Sequence, residues 1–159
     1  MRALVVYDSI FGNTEQIARA VGAAVGAEPD VQVVRVSDTT PEGLAAAELL
    51  VVGSPTRGFR PTPATSKLLK SIPAQRLQGV RVAAFDTRVD VAKVNNKVLT
   101  AFVKVFGYAA EPIAKALQKK GGTPAGVPAG FFVVASEGPL AEGELERATA
   151  WARGLVGGE

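Results

Sequence analysis

The chain has no cysteine and no histidine. Without thiols there is no disulfide, no zinc ribbon, no iron–sulfur ligation and no thiol nucleophile. Without imidazole the commonest general base and metal ligand is missing too. Chemistry beyond binding is therefore expected to belong to a bound molecule. Aromatic residues are scarce at 6%, with a single Trp, and no apolar run approaches the roughly 20 residues that span a bilayer. Met1-Arg2 leads straight into an apolar strand pattern, so no signal peptide and no transmembrane segment are expected. A chain of this composition fits a reducing cytoplasm.

What is present is a 159-residue, Ala- and Val-rich sequence that is 47% hydrophobic. That is enough to bury one core, and a single domain over 1–159 is expected. Apolar runs alternate with helical patterns. Strands are expected at Ala3 to Tyr7, Val31 to Val36, Glu48 to Gly53, Val80 to Phe85 and Gly130 to Ala135. Between them, three-to-four-residue periodicity and cap signals place helices. The first begins near Thr14. Others run from Pro41 to Ala47 behind a Thr40 cap, Thr62 to Ser71 with Pro63 at its start, Ala110 to Lys120, and Leu140 to Leu155. Trp151, in the last, reads as a core anchor. Five strands separated by helices imply a parallel sheet, doubly wound, with helices on both faces and right-handed crossovers.

Ligands in such sheets bind beyond the carboxyl ends of the strands. Three loops there are chemically equipped: Asp8 to Thr14, Ser54 to Arg60, and Asp86 to Val89. The first, Asp8-Ser9-Ile10-Phe11-Gly12-Asn13-Thr14-Glu15, ends a buried strand and opens a helix. The first turn of a helix carries unpartnered N–H groups and the positive end of the helix dipole. Hydroxyls at Ser9 and Thr14, an amide at Asn13 and Gly12 surround that end, and such a turn suits a phosphate monoester. The same residues also suit a plain helix cap.

Ser9-Ile10-Phe11-Gly12-Asn13-Thr14-Glu15 resembles the phosphate loop of the flavodoxin family. Gly53-Ser54-Pro55-Thr56, followed by Gly58, Pro61 and Pro63, is similar to that family's second flavin loop. The resemblance covers nearly the whole chain. It implies a flavodoxin-like α/β fold with strand order 2-1-3-4-5, FMN as cofactor and electron transfer as function. On that basis Ser9 and Thr14 hydroxyls, the Asn13 side chain and N–H groups of Ile10, Phe11, Gly12, Asn13 and Thr14 would hold the phosphate. Ser54 and Pro55 would lead into the second loop, and Thr56, Arg57, Gly58 and Phe59 would face the ring. Gly58 could flip its peptide to meet flavin N5, and Phe59 would be a stacking ring or a loop anchor. Asp86, Thr87 and Arg88 would border the pyrimidine end through backbone donors, although Asp86 reads equally as a strand terminus. Phe11 stands where the family usually has a hydroxyl residue.

The family's electron carriers are usually acidic, and this chain is not. Residues 57–120 hold 13 Lys or Arg against three Asp or Glu, while the remainder holds five against 12. Arg57, Arg60 and Arg88 near the ring would make the flavin less reducing, since a cation favours added electrons. The same block would suit an acidic redox partner protein, or simply be solvated. The segment from Asp90 to Tyr108 has no counterpart in the short flavodoxin pattern. Val91, Val94, Val98, Phe102 and Val105 give it the spacing of an amphipathic helix, for core packing, a cofactor cover, a subunit contact or a membrane surface.

Two alternatives share the fold: an FMN-dependent NAD(P)H:quinone oxidoreductase, and a flavodoxin-like regulatory or assembly module that holds no flavin. Gly-x-Gly-x-x-Gly is absent after the first strand and Gly-x-x-x-x-Gly-Lys-Ser/Thr is absent everywhere, which weighs against dinucleotide Rossmann and NTPase readings. Gly53-Ser54-Pro55 stands where a receiver domain needs a phosphoacceptor Asp. No nucleic-acid partner is expected, because the basic block lacks interleaved aromatics.

Overall fold

The computed structural model describes residues 1–89 and 108–157. Among them the elements run β1 (Ala3–Tyr7), α1 (Asn13–Val25), β2 (Val31–Arg35), a 3-10 turn at Val36–Asp38, α2 (Pro41–Ala45), β3 (Leu49–Pro55), α3 (Pro63–Ser71), β4 (Arg81–Val89), α4 (Ala110–Lys119), β5 (Thr123–Pro124), β6 (Ala129–Val133) and α5 (Glu144–Gly157). All strand pairs are parallel, in the order β2-β1-β3-β4-β5, and β6 also pairs β4. This is the flavodoxin-like α/β arrangement.

Period-two alternation along the central strands builds two cores. Leu4, Val6, Leu50, Val52, Val82 and Ala84 point to one face, where Leu44 of α2, Leu68 and Leu69 of α3, and Ile113 and Leu117 of α4 cover them. Val5, Tyr7, Leu49, Val51, Ala83 and Phe85 point to the other, under Ile17 and Val21 of α1 and Ala148, Ala152 and Leu155 of α5. Buried on both faces, β1, β3 and most of β4 read as unbroken apolar runs, as parallel strands do. Trp151 packs into the second core, edge-on to Phe85 and Phe131 at centroid distances of 6.1 and 6.0 Å. The predicted Thr40 cap forms, its Oγ1 accepting from Gly43 N–H. Thr62, expected as the first helical residue, is instead the cap of α3, its Oγ1 accepting from Thr65 N–H.

The structure departs from the sequence expectation at the fifth strand, which is two pieces. β5 pairs Arg81 and Val82, and β6 pairs Phe85 to Val89. Since β3 occupies the other edge of β4, both pieces flank the same edge, with Ala125 to Pro128 between them. β4 also continues through Asp86-Thr87-Arg88-Val89, where a loop was expected. β6 supplies hydrogen-bond partners there, so polar side chains sit in regular strand. Likewise Ser54 and Pro55 belong to β3 and not to a loop. The last helix starts at Glu144, four residues later than expected, because Leu140 is held by a bridge to Val133. The expected helix from Asp90 to Tyr108 lies outside the described residues, apart from Tyr108 itself.

Candidate functional site

At the carboxyl edge of the sheet a cleft of about 230 Å³ opens between the first and second loops and the end of β4. Its lining contains Ser9, Ile10, Phe11, Asn13, Thr14, Pro55, Thr56, Arg57, Gly58, Thr87 and Arg88, all predicted. It also contains Val89, the last residue of the third predicted loop, and Val133 and Ser136, which the sequence reading did not name as site residues. Ser136 follows β6, so applying the strand-end rule to the last strand as well would have found it. Gly12, Ser54, Phe59 and Asp86 do not line the cleft.

The first loop is shaped from its own residues. Asp8 N–H donates to Gly53 O at 3.0 Å, which carries the β1–β3 ladder one residue further. Ser9 N–H then donates to Asp8 Oδ1, and Ser9 Oγ accepts from Gly12 N–H at 3.1 Å and Glu15 N–H at 3.4 Å. Gly12 sits at φ 90°, the left-handed region open to glycine. That turn lets α1 begin immediately and leaves the N–H groups of Ile10, Phe11, Asn13 and Thr14 without acceptors among the described residues. No Asp or Glu is among the described cleft-lining residues. Amides without acceptors among the described residues, at the N-terminus of a 13-residue helix and in a cleft whose described lining carries no carboxylate, are a donor set for an anion.

Neighbouring elements brace this loop. Arg35, at the end of β2, donates to Ser9 O at 3.0 Å and to Glu15 Oε1 at 3.1 Å. The hydrogen bond from Arg19, and the charges of Arg19 and Arg35, hold the Glu15 carboxyl below its ordinary pKa. Asn13 Nδ2 donates to Glu137 O at 3.1 Å, so that side chain ties the loop to the segment after β6. Gly138, at φ 104°, allows the approach: a Cβ there would stand 2.6 Å from the Asn13 amide. Thr14 and Thr87 share a buried hydroxyl–hydroxyl hydrogen bond of 2.8 Å, linking the loop to β4.

The second loop is a tight turn. Arg57 and Arg60 exchange backbone hydrogen bonds of 2.8 and 3.1 Å, with Gly58 at φ 55° and Phe59 at φ 67° between them. Thr56 N–H donates to Thr87 O, and Thr56 Oγ1 accepts from Ala109 N–H. Arg57 reaches back over the Phe11 ring, 6.0 Å from its centroid. Phe59 and Arg60 turn instead into a larger groove of about 950 Å³ between α3 and α4, with Leu69, Lys70, Pro112 and Lys119. That groove touches the cleft only at Gly58 and contains none of the first-loop amides. The smaller cleft is the candidate site because the anion donors face it.

Below the cleft, Asp86 is fully buried. Arg88 Nε and Nη2 each reach its carboxylate at 2.7 Å, and Ala110 N–H donates to it at 2.9 Å. Burial pushes the Asp86 carboxyl up, opposed by Arg88 and by the Ala110 N–H. Among the described residues no group of three or more Asp or Glu is placed to hold a metal.

Comparison with known proteins places these features. The flavodoxin family model matches residues 5–151. A flavodoxin from the domain Archaea superposes with a TM-score of 0.70 at 24% identity, covering 99% of this chain and 97% of that one. Oxidised Flavodoxin 1 from Bacillus cereus gives 0.74 at 14% identity, covering 100% and 99%. Two-electron reduced Megasphaera elsdenii flavodoxin gives 0.66 at 23% identity, covering 95% and 98%. A comparison with curated protein sequences gave no match.

Proposed function

The chain belongs to the flavodoxin family, and from that premise we propose that it is a single-domain electron-transfer protein with FMN held in the cleft at the carboxyl edge of the sheet. The observation that carries this reading is the set of four unpartnered N–H groups on Ile10, Phe11, Asn13 and Thr14 at the start of α1. With the Ser9 hydroxyl they match the charge and the hydrogen-bond demand of a phosphate monoester. FMN, when bound, supplies one- and two-electron chemistry that no side chain of this protein offers.

The protein's part is to bind and orient. Ser9, Thr14 and the first-loop amides hold the phosphate. Thr56, Arg57 and Gly58 border the ring from the second loop. Thr87 and Arg88 border it from the end of β4, and Phe11 is the ring that lines the cleft among the described residues. The Asn13 side chain, engaged by Glu137 O, positions the loop.

The partner is a redox protein with an acidic face. Arg57 and Arg60 of the second loop, Lys67 and Lys70 of α3, and Lys115 and Lys119 of α4 are all exposed, and steering by such a field weakens with salt. The cysteine-free composition suits a cytoplasmic setting, and no described helix is long and apolar enough to cross a membrane.

The test is fluorescence of FMN titrated with the purified apoprotein. Quenching that saturates at one FMN per chain supports the reading. Unquenched flavin at micromolar protein defeats it and favours a module that holds no flavin.

A further inference from the structure

Arg88 is the best-secured cation at the cleft, and the chain goes to some length to secure it. Asp86 grips it through two 2.7 Å contacts from complete burial. Its guanidinium carbon lies 3.7 Å from the centroid of the Tyr108 ring. Its third neighbour is Gly130, the register partner of Asp86 across the β4–β6 ladder, where a Cβ would stand 2.1 Å from the guanidinium carbon. A carboxylate, a ring and a missing side chain thus form one slot, and the cation is 18% exposed within it. The same carboxylate accepts from Ala110 N–H in the first turn of α4. Arg57, by contrast, is exposed and meets the Phe11 ring from 6.0 Å.

A guanidinium loose at a flavin would favour the reduced ring. A guanidinium clamped to a buried carboxylate presents a dipole, whose field falls off faster than that of a single charge. We propose that Asp86 is a positioning and charge-masking residue, fixing Arg88 at the cleft so that bound flavin meets a neutral pair and not a lone cation. This rests on the reading of the cleft as the FMN site and adds to it the residue that sets its electrostatics. The lone positive influence left among the described cleft-lining side chains is then Arg57. The three arginines that the sequence reading set near the ring stand in separate situations. Arg57 is exposed at the cleft, Arg60 turns into the neighbouring groove, and Arg88 is masked.

The experiment is potentiometry of the FMN-loaded protein with Asp86→Asn, Arg88→Met and the double variant. Asparagine keeps an oxygen for Ala110 N–H while removing the charge. Asp86→Asn is expected to raise the reduced-to-oxidised ratio at fixed ambient potential at least tenfold, about 30 mV for a two-electron couple. Arg88→Met is expected to change it less than about threefold, because a buried carboxyl without its partner keeps its proton and the site stays neutral. The double variant should return close to the parent. An unchanged potential in Asp86→Asn overturns the proposal, as does a tenfold fall in Arg88→Met, which would mean Arg88 had acted unmasked. If Asp86→Asn does not fold, the Arg88→Met result decides alone. FMN affinity of the parent protein separates the two levels: no binding there defeats the site, whereas binding with the overturning potentials defeats only the masking.

Discussion

Replacing Thr14 by Val removes one end of the 2.8 Å hydroxyl pair between the first loop and β4. Thr14 is 2% exposed and Thr87 5%, so the hydroxyl left behind has little access to water. A buried polar group stripped of its partner costs about 1–3 kcal/mol. The adjoining cleft lets some solvent in, which places each single substitution, Thr14→Val or Thr87→Val, near about 1–2 kcal/mol of apoprotein stability. For a domain of this length that lowers Tm by roughly 2–8 °C. Removing both hydroxyls leaves nothing unpartnered, so the double variant should lose clearly less than the sum, with a coupling of about 1 kcal/mol. Urea unfolding of the apoprotein followed by Trp151 fluorescence reads this, since that ring packs on Phe85 and Phe131 in the core beneath α5. Strictly additive losses, or singles indistinguishable from the parent, would refute the pairing.

Further outcomes follow from the same loop. Gly12→Ala forces an L residue to φ 90° and should cost about 1–2 kcal/mol and weaken FMN binding, seen by chemical unfolding and fluorescence quenching; unchanged stability would mean the turn is not left-handed. Gly138→Ala places a methyl group 2.6 Å from the Asn13 amide and should break the Asn13–Glu137 bond, lowering FMN affinity several-fold in the same titration. Glu15 has a folded-state pKa below its ordinary 4.5, so its contribution is present above that value and is lost as pH falls below it. Glu15→Gln should therefore cost less than about 1 kcal/mol near neutrality and nothing in strong acid, measured by urea unfolding across pH. Electron transfer to an acidic acceptor protein should slow as salt rises, and NAD(P)H alone should leave the flavin oxidised; rapid bleaching by NAD(P)H would favour the quinone reductase reading.

Much of the fold was legible in the sequence because its signals are local. The apolar runs of β1 and β3, the Thr40 cap followed by Pro41, and Pro63 at the start of α3 each depend on a few adjacent residues. The divided fifth strand was not legible. Thr123-Pro124 is two residues inside a Gly/Pro-rich connection, and only the free edge of β4 makes it a strand. Asp86 to Arg88 looked like a loop because they are polar, yet β6 pairs them and the Asp86–Arg88 contact neutralises their burial. Phe59 read equally as a stacking ring or a loop anchor from its place in the second loop. Its positive φ, rare for an aromatic residue, turns it toward the groove between α3 and α4. Asn13 meeting Glu137 across 124 residues has no local trace at all.

Calorimetric titration of FMN and of riboflavin into the apoprotein tests the central claim most directly, because the two differ only in the phosphate that the first-loop amides are built to receive. Several charge-assisted hydrogen bonds of about 1.5–3 kcal/mol each predict one-to-one saturation by FMN and binding of riboflavin at least a hundredfold weaker, about 2.8 kcal/mol. Equal affinity for the two, or no heat from either, would contradict it.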